Sequence, residues 1–100
     1  EATNAQALRG AGLSAARGVL AHAEGDHAAC VAHLAPGRRR LSGGGGSHAQ
    51  RVAWQRTLLV SALRSGQHGF ARVLVGERLA DRPASAWSRA RLSELDALSL

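Results

Sequence analysis

Two stretches decide the fold: LAHAEGDHAACVAHL at residues 20–34 and SALRSGQHGFARVLV at residues 61–75. Aligned on Gly25 and Gly66, they place small residues opposite small ones and apolar residues opposite apolar ones. The pairs are Ala21 with Ala62, His27 with His68, Cys30 with Ala71 and Leu34 with Val75. A glycine between two segments of helical period is typical of a helical hairpin. The chain therefore contains one hairpin twice, at an offset of 41 residues.

The composition around these stretches favours helices and offers little from which to build strands. Ala carries much of the 45% hydrophobic share, and the chain has only two Pro. Ala is the best helix former, whereas strands are enriched in β-branched and aromatic residues. The chain has one Phe, two Trp and no Tyr, namely Phe70, Trp54 and Trp87. We therefore expect an all-α chain with a thin core of closely packed helices.

Capping and stop signals divide the chain into five helices. Residues 3–6 and 47–50 have the spacing of a capping box, in which two side chains reciprocally satisfy the first N–H groups of a helix. The predicted elements are a first hairpin over about 4–40, an arginine and glycine loop over 38–46, a second hairpin over about 47–82 and a final helix over about 85–99. Within the first hairpin, one helix runs to about Glu24 and the next from about His27 to Arg40, with Pro36 and Gly37 as the residues that kink or end it. Arg82-Pro83 stops the fourth helix and Ser85 caps the fifth.

Apolar residues of helical period predict which faces are buried. The predicted positions are Leu8, Leu13, Ala16, Val19, Leu20 and Ala23 in the first helix, Val52, Leu58, Leu59, Ala62 and Leu63 in the third, Phe70, Val73, Leu74 and Leu79 in the fourth, and Trp87, Arg91, Leu92, Leu95 and Leu98 in the fifth.

The order of residues around each turn glycine resembles the tetratricopeptide repeat, in which small, glycine, small, apolar and proline positions follow at fixed spacing. The second unit has Gly66, Ala71, Val75 and Pro83 in that order, and the first has Gly18, Gly25, Cys30 and Leu34 but Ser42 in the proline position. The offset exceeds a repeat of about 34 residues because of the inserted loop. The predicted architecture is two tetratricopeptide-like antiparallel helical hairpins plus a C-terminal helix, a fragment of an α-α superhelix.

A closer resemblance rests on three segments: GGSHAQR at 45–51, TLLVSAL at 57–63 and ARVLVGERLADRP at 71–83. Together they resemble the C-terminal region of the tetratricopeptide repeat protein 38 family, and the composition, rich in Ala, Gly and Arg and devoid of Lys, indicates a bacterial member from a high-GC genome. The resemblance implies a larger helical solenoid of unassigned biochemical role. We expect this chain to be part of such a longer protein.

The charge and the cysteine content limit the cellular compartment and the kinds of bonding that we expect for this chain. The chain carries 13 Arg against seven acidic residues, a net charge of +6, and it has a single cysteine, Cys30. One cysteine forms no internal disulfide, which favours a reducing cytoplasm. No apolar run reaches the roughly 18 residues that a membrane span needs, so we expect no membrane partner.

Neither a cofactor nor a catalytic site is expected. His27, Cys30 and His33 recur at three-residue spacing with His22 nearby, and His with Cys is a zinc ligand set. Steps of three on a helix drift around its axis, so His27 and His33 face different directions and no metal site is predicted. The glycine run lacks the Lys-Ser/Thr of a phosphate-binding loop.

The favoured function is a scaffold or protein-interaction module that binds a protein or peptide, or neighbouring repeats of its own protein, and that can form homo-oligomers. In hairpin arrays the first helix of each hairpin lines a concave groove. The predicted groove residues are His22, Arg56, Thr57, Val60 and Arg64. Arginines there favour an acidic or carboxylate ligand.

The alternative is a nucleic-acid-binding helical domain. Arginines in a glycine-rich loop and on the following helix are suited to phosphate contacts. The predicted contacts are Arg38, Arg39, Arg40 and Arg51. Aromatic residues for base stacking are few, which favours the protein-interaction hypothesis.

Overall fold

The chain folds into helices alone over the part that the structure describes. A computed structural model describes residues 4–38 and 48–98. Its helices are α1 (Asn4–Ala23), α2 (His27–Leu34), α3 (His48–Arg64), α4 (His68–Asp81) and α5 (Ala86–Leu98). These residues contain no strand, which confirms the all-α prediction. None of the five helices combines the length and the apolar character needed to cross a bilayer.

The helix ends follow the local signals. Ser85 accepts the N–H of Ser88 at 3.2 Å and so begins α5 as predicted, while α4 ends one residue before Arg82. The helix α2 ends at Leu34, short of Arg40 and just ahead of Pro36 and Gly37, the residues expected to kink or end it. Pro36 has no N–H to continue the hydrogen-bond ladder, so the helix stops ahead of it. The predicted capping boxes and the arginine and glycine loop include residues outside the described part of the chain.

The two hairpin turns have the same geometry. Gly25 and Gly66 adopt left-handed φ angles of 83° and 80°. The residue after each glycine donates its N–H back across the turn, from Asp26 to Ala21 and from Gln67 to Ala62, at 2.9 Å in both cases. These hydrogen bonds form a Schellman motif, which needs a left-handed residue that glycine supplies without steric cost. The repeat at an offset of 41 residues is therefore present in the backbone conformation of the turns as well as in the amino-acid sequence.

Packing follows the chain order. Each helix packs on the next within a hairpin and between hairpins, and α1 also contacts α3. Three of the four residue pairs that the repeat aligns are buried together in one core: Ala21 with Ala62, Cys30 with Ala71, and Leu34 with Val75. The fourth pair, His27 with His68, is half-buried. Cys30 fills the small-residue position at the contact between helices, as predicted. The described part measures 47 × 28 × 22 Å along its principal axes.

The predicted buried face of α1 is wrong. Val19 and Leu20 are 44% and 59% exposed, and Ala16 and Ala23 are exposed as well. The buried positions are Ala15, Gly18 and Ala21, while the side chains of Leu8 and Leu13 lie outside the described residues. Val73 in α4 and Leu98 in α5 are also exposed, at 51% and 56%, against prediction.

Close approach of α2 explains why α1 buries its smallest residues. A Cβ atom added to Gly18 would lie 2.6 Å from Cγ and 2.7 Å from Cδ2 of Leu34. Leu34 itself is only 1% exposed, so its side chain fills the space that a larger residue at position 18 would take. Contact distance, and not hydrophobicity, therefore selects the face of α1 that packs on α2.

We expect Gly18→Ala to lower the free energy of unfolding by about 1–3 kcal/mol, because overpacking outweighs the gain in helix propensity. The measurement is equilibrium unfolding in urea. Gly76→Ala in α4 is the matched control: its Cβ would meet no atom within 4 Å, so the change should stabilise the chain by about 0.5–1 kcal/mol.

A second variant separates overpacking from other causes. Leu34→Val provides room for the new methyl group, so the loss caused by Gly18→Ala should shrink in its presence, a coupling that a double-mutant cycle measures. Purely additive losses would contradict the proposed contact.

Candidate ligand-binding surfaces

Four of the five predicted groove residues lie where α1 and α3 meet or on one side of α3. His22 near the end of α1 is half-buried, and its Nδ1 lies 2.7 Å from Oγ of Ser61 in α3. Thr57, Val60 and Arg64 follow at helical spacing on α3, the first two half-buried and the last exposed. This group, with His22, is called the α1–α3 surface below.

Ser61 joins three side chains from the first hairpin. Its hydroxyl is fully buried and lies within hydrogen-bond distance of Nδ1 of His22 and, at 3.1 Å, of Nδ1 of His27. The thiol of Cys30 also forms a hydrogen bond with it. A serine hydroxyl has one hydrogen and two acceptor lone pairs, so it donates to one of these partners and accepts from the others.

The surroundings of this polar group shift two pKa values. Burial lowers the pKa of His22, and the neighbouring charges of His27 and Arg64 lower it further. The imidazole rings of His22 and His27 meet edge to face with centroids 5.1 Å apart, so two protonated rings would repel. Burial raises the pKa of the Cys30 thiol, and the hydrogen bond with Ser61 opposes that effect. The cluster is therefore most stable with His22 neutral.

The lowered pKa of His22 predicts acid sensitivity. The unfolded chain protonates His22 more readily than the folded one does, so stability falls as pH decreases through the ordinary value of 6.5 toward the lower folded pKa. Above that window the contribution of His22 is fully present. Urea unfolding between pH 8 and about pH 5 measures it.

His22→Gln should flatten this pH dependence because the titrating group is removed. His68→Gln is the control, since His68 takes the place of His27 in the second hairpin, and it should leave the dependence in place. An unchanged pH profile in His22→Gln would refute the assignment.

Arg56 belongs to a different surface from the other predicted groove residues. Its Cζ lies 4.8 Å from the ring centroid of Trp87 in α5. Arg78 from α4 and Arg91 from α5 each place Cζ 5.2 Å from the same ring. Three guanidinium groups from three helices thus surround one indole, and we call these four residues the Trp87 arginine cluster. Cation–π attraction offsets part of their mutual repulsion.

Hydrogen bonds hold the central arginine of this cluster in place. Arg78 donates from Nε to Oγ of Ser88 at 3.1 Å and from Nη1 to Oε1 of Gln55 at 2.7 Å. Burial lowers the pKa of Arg78, the charges of Arg56 and Arg82 lower it further, and Asp81 opposes them. Arg91 pairs with Glu94 at 3.1 Å, while its Nε is buried without a hydrogen-bond partner in the described structure. Positive charge therefore exceeds negative charge at this point.

Of the four residues predicted for phosphate contact, Arg38 and Arg51 lie in the described part of the chain. Arg38 donates from Nη1 to both carboxylate oxygens of Glu77, at 2.7 and 3.0 Å, and lies 5.8 Å from the Phe70 ring centroid. Its charge is therefore already balanced. Arg51 is half-buried in the first turn of α3, and Arg39 and Arg40 lie outside the described residues.

A metal site is not found in the described ranges, where no three His, Cys, Asp or Glu side chains come close enough to hold an ion. His22, His27 and Cys30 meet instead at Ser61. Because the Ser61 hydroxyl is fully buried beneath them, it has no surface at which to meet a substrate.

Sequence reasoning missed Ser61 and the Trp87 arginine cluster. Ser61 occupies the position that Leu20 holds in the first hairpin, so a polar residue in an apolar position was the available signal. In the cluster only the four-residue spacing of Trp87 and Arg91 is visible in the sequence. Arg56 and Arg78 join them through tertiary packing alone.

The comparisons with known proteins add no relative. The chain matches no protein-family model, no curated protein and no solved structure.

Proposed function

We propose that this chain is a protein-interaction module built from tetratricopeptide-like hairpins, with no catalysis of its own. The support is the repeated hairpin: two glycine turns with the same hydrogen bonds, equivalent buried residues, and helices that pack in chain order. Stacked hairpins present extended surfaces that bind other chains. The resemblance to the tetratricopeptide repeat protein 38 family adds to this support, and the free thiol of buried Cys30 fits a reducing cytoplasm.

The charge of the first helices indicates an acidic partner. Helices α1 and α3 contain five arginines between them and no Asp or Glu. Of the seven acidic residues, four lie in α4 and α5. The α1–α3 surface therefore carries Arg64 with no carboxylate on either of its own helices, beside the half-buried Thr57 and Val60. An acidic segment with apolar residues complements this combination.

Fluorescence anisotropy with a labelled peptide of alternating Glu and Leu tests this function. We expect saturable binding that weakens with salt, and Arg64→Gln should weaken it about two- to fivefold, since an exposed ion pair contributes up to about 1 kcal/mol. Arg72→Gln on α4 removes the same charge from an exposed pair with Asp96 and should leave the affinity unchanged.

Two further probes give the outcomes that would overturn the proposal. A peptide with Lys in place of Glu should not bind. A single-stranded oligonucleotide that bound more tightly than the acidic peptide, with a steep salt dependence, would establish the nucleic-acid alternative instead.

The exposed side of α1 indicates a second contact, with another helical hairpin. Leu20 is 59% exposed, whereas its equivalent Ser61 in the second hairpin is fully buried by the first hairpin. Leu20 is therefore an exposed apolar residue at a position whose equivalent in the second hairpin is buried. We propose that a helical hairpin of a second copy of this chain packs on Leu20.

Sedimentation velocity over a range of concentrations tests this contact. We expect reversible self-association, which Leu20→Glu should weaken by about tenfold or more because a charge replaces a buried leucine at the interface. Val73→Glu in α4, a residue 51% exposed, is the matched control and should leave association unchanged. A monomer at every concentration would rule this contact out.

A further inference from the structure

We propose that the Trp87 arginine cluster binds a phosphate group of a small ligand. The site is Arg56, Arg78 and Arg91 around Trp87, where α3, α4 and α5 meet. It lies apart from the α1–α3 surface and does not rest on the function proposed for that surface.

The first argument is unbalanced charge. Arg56 and Arg78 have no carboxylate within ion-pair distance among the described residues, and Glu94 pairs with Arg91 alone. Burial lowers the pKa of Arg78 most, and the neighbouring charges of Arg56 and Arg82 lower it further against the opposing charge of Asp81. An anion placed among these guanidinium groups would relieve their mutual repulsion, so binding and local stability should rise together.

The second argument is preorganised geometry. Gln55 and Ser88 fix the guanidinium of Arg78, and Ser88 is itself fully buried and held by Ser85. The Cζ atoms of Arg56, Arg78 and Arg91 lie 4.8, 5.2 and 5.2 Å from the ring of Trp87. A site whose donors are already in place loses little conformational entropy when the ligand binds.

The third argument concerns the shape of the ligand. A carboxylate is planar, carries one charge and is matched by the fork of a single arginine. A phosphate is tetrahedral and carries up to two charges, so its oxygens can meet guanidinium groups that approach from three helices. Arg56 is exposed and Arg91 is half-buried, which leaves an approach from solvent for the phosphate. The remainder of the ligand would stay outside the cluster.

Tryptophan fluorescence provides the readout, in a Trp54→Phe background that leaves Trp87 as the only indole. The probe is inorganic pyrophosphate, with chloride at matched ionic strength as the reference. We expect a saturable change in emission with pyrophosphate and none with chloride. Arg56→Gln should weaken binding by about tenfold or more, as expected for the loss of a charged hydrogen-bond donor, and Arg56→Lys, which keeps the charge, by less.

Two controls make the result specific. Arg17→Gln removes an exposed arginine from α1, and Arg64→Gln removes one from the α1–α3 surface; both should keep the affinity for pyrophosphate within about twofold of wild type. Retained pyrophosphate binding in Arg64→Gln also separates this site from acidic-peptide binding. Equal responses to pyrophosphate and chloride, tighter binding of citrate than of pyrophosphate, or full affinity in Arg56→Gln would each overturn the proposal.

Discussion

The contact between Gly18 and Leu34 determines how closely the first two helices approach, and the rest of the first hairpin follows from it. Among the α1 residues whose side chains are described, the buried ones are Ala15, Gly18 and Ala21, and Leu34 of α2 packs against the backbone of Gly18. The larger residues of α1 must then face elsewhere, which exposes Val19 and Leu20. The same rotation of α1 directs His22 toward α3, where it meets Ser61.

In the second hairpin, the two equivalent positions are also buried, but the side chains at them differ in size from those of the first hairpin. At the positions equivalent to Gly18 and Leu34 it has Leu59 and Val75, and both are buried. The larger residue thus lies on the first helix in one hairpin and on the second helix in the other. Leu59 and Val75 together fill more space than Gly18 and Leu34 do, so the second hairpin lacks the close approach to a glycine backbone that is seen in the first. The first helices also differ in their neighbours: α3 packs on α2 and α4 and contacts α1, whereas α1 packs on α2 and contacts α3. These two differences explain why the two hairpins, which have the same turns, bury different faces of their first helix.

Local features could be predicted from the sequence, and features that depend on distant partners could not. The turns at Gly25 and Gly66 are encoded by a residue that tolerates positive φ, so they were found by alignment alone. The start of α5 could also be predicted, because it depends on a local N-cap that Ser85 provides. The buried side of α1 depends on how near α2 comes, and hydrophobic periodicity contains no information on that distance.

The candidate sites divide in the same way. His22 and Arg64 lie close enough for the charge of Arg64 to lower the pKa of His22, which burial lowers most, because the first helices of the two hairpins are in contact. The repeat did not anticipate that Arg56 would turn toward Trp87, since that contact joins α3 to α5 across α4. Contacts between helices that are not consecutive need the tertiary structure, and one such contact brings Arg56 to the indole that Arg78 and Arg91 also approach.

The hydroxyl of Ser61 couples the hydrogen bonding of His22 in α1 to that of His27 in α2. Its single hydrogen serves His22, His27 or the thiol of Cys30, so at most one of the two imidazoles accepts from Ser61 and the other donates to it from Nδ1. Alkylation of Nε2 on one neutral ring would leave its Nδ1 as an acceptor, so Ser61 would donate to that ring and accept from Nδ1 of the other. One proton thus links the end of α1 to the start of α2 through a residue of α3.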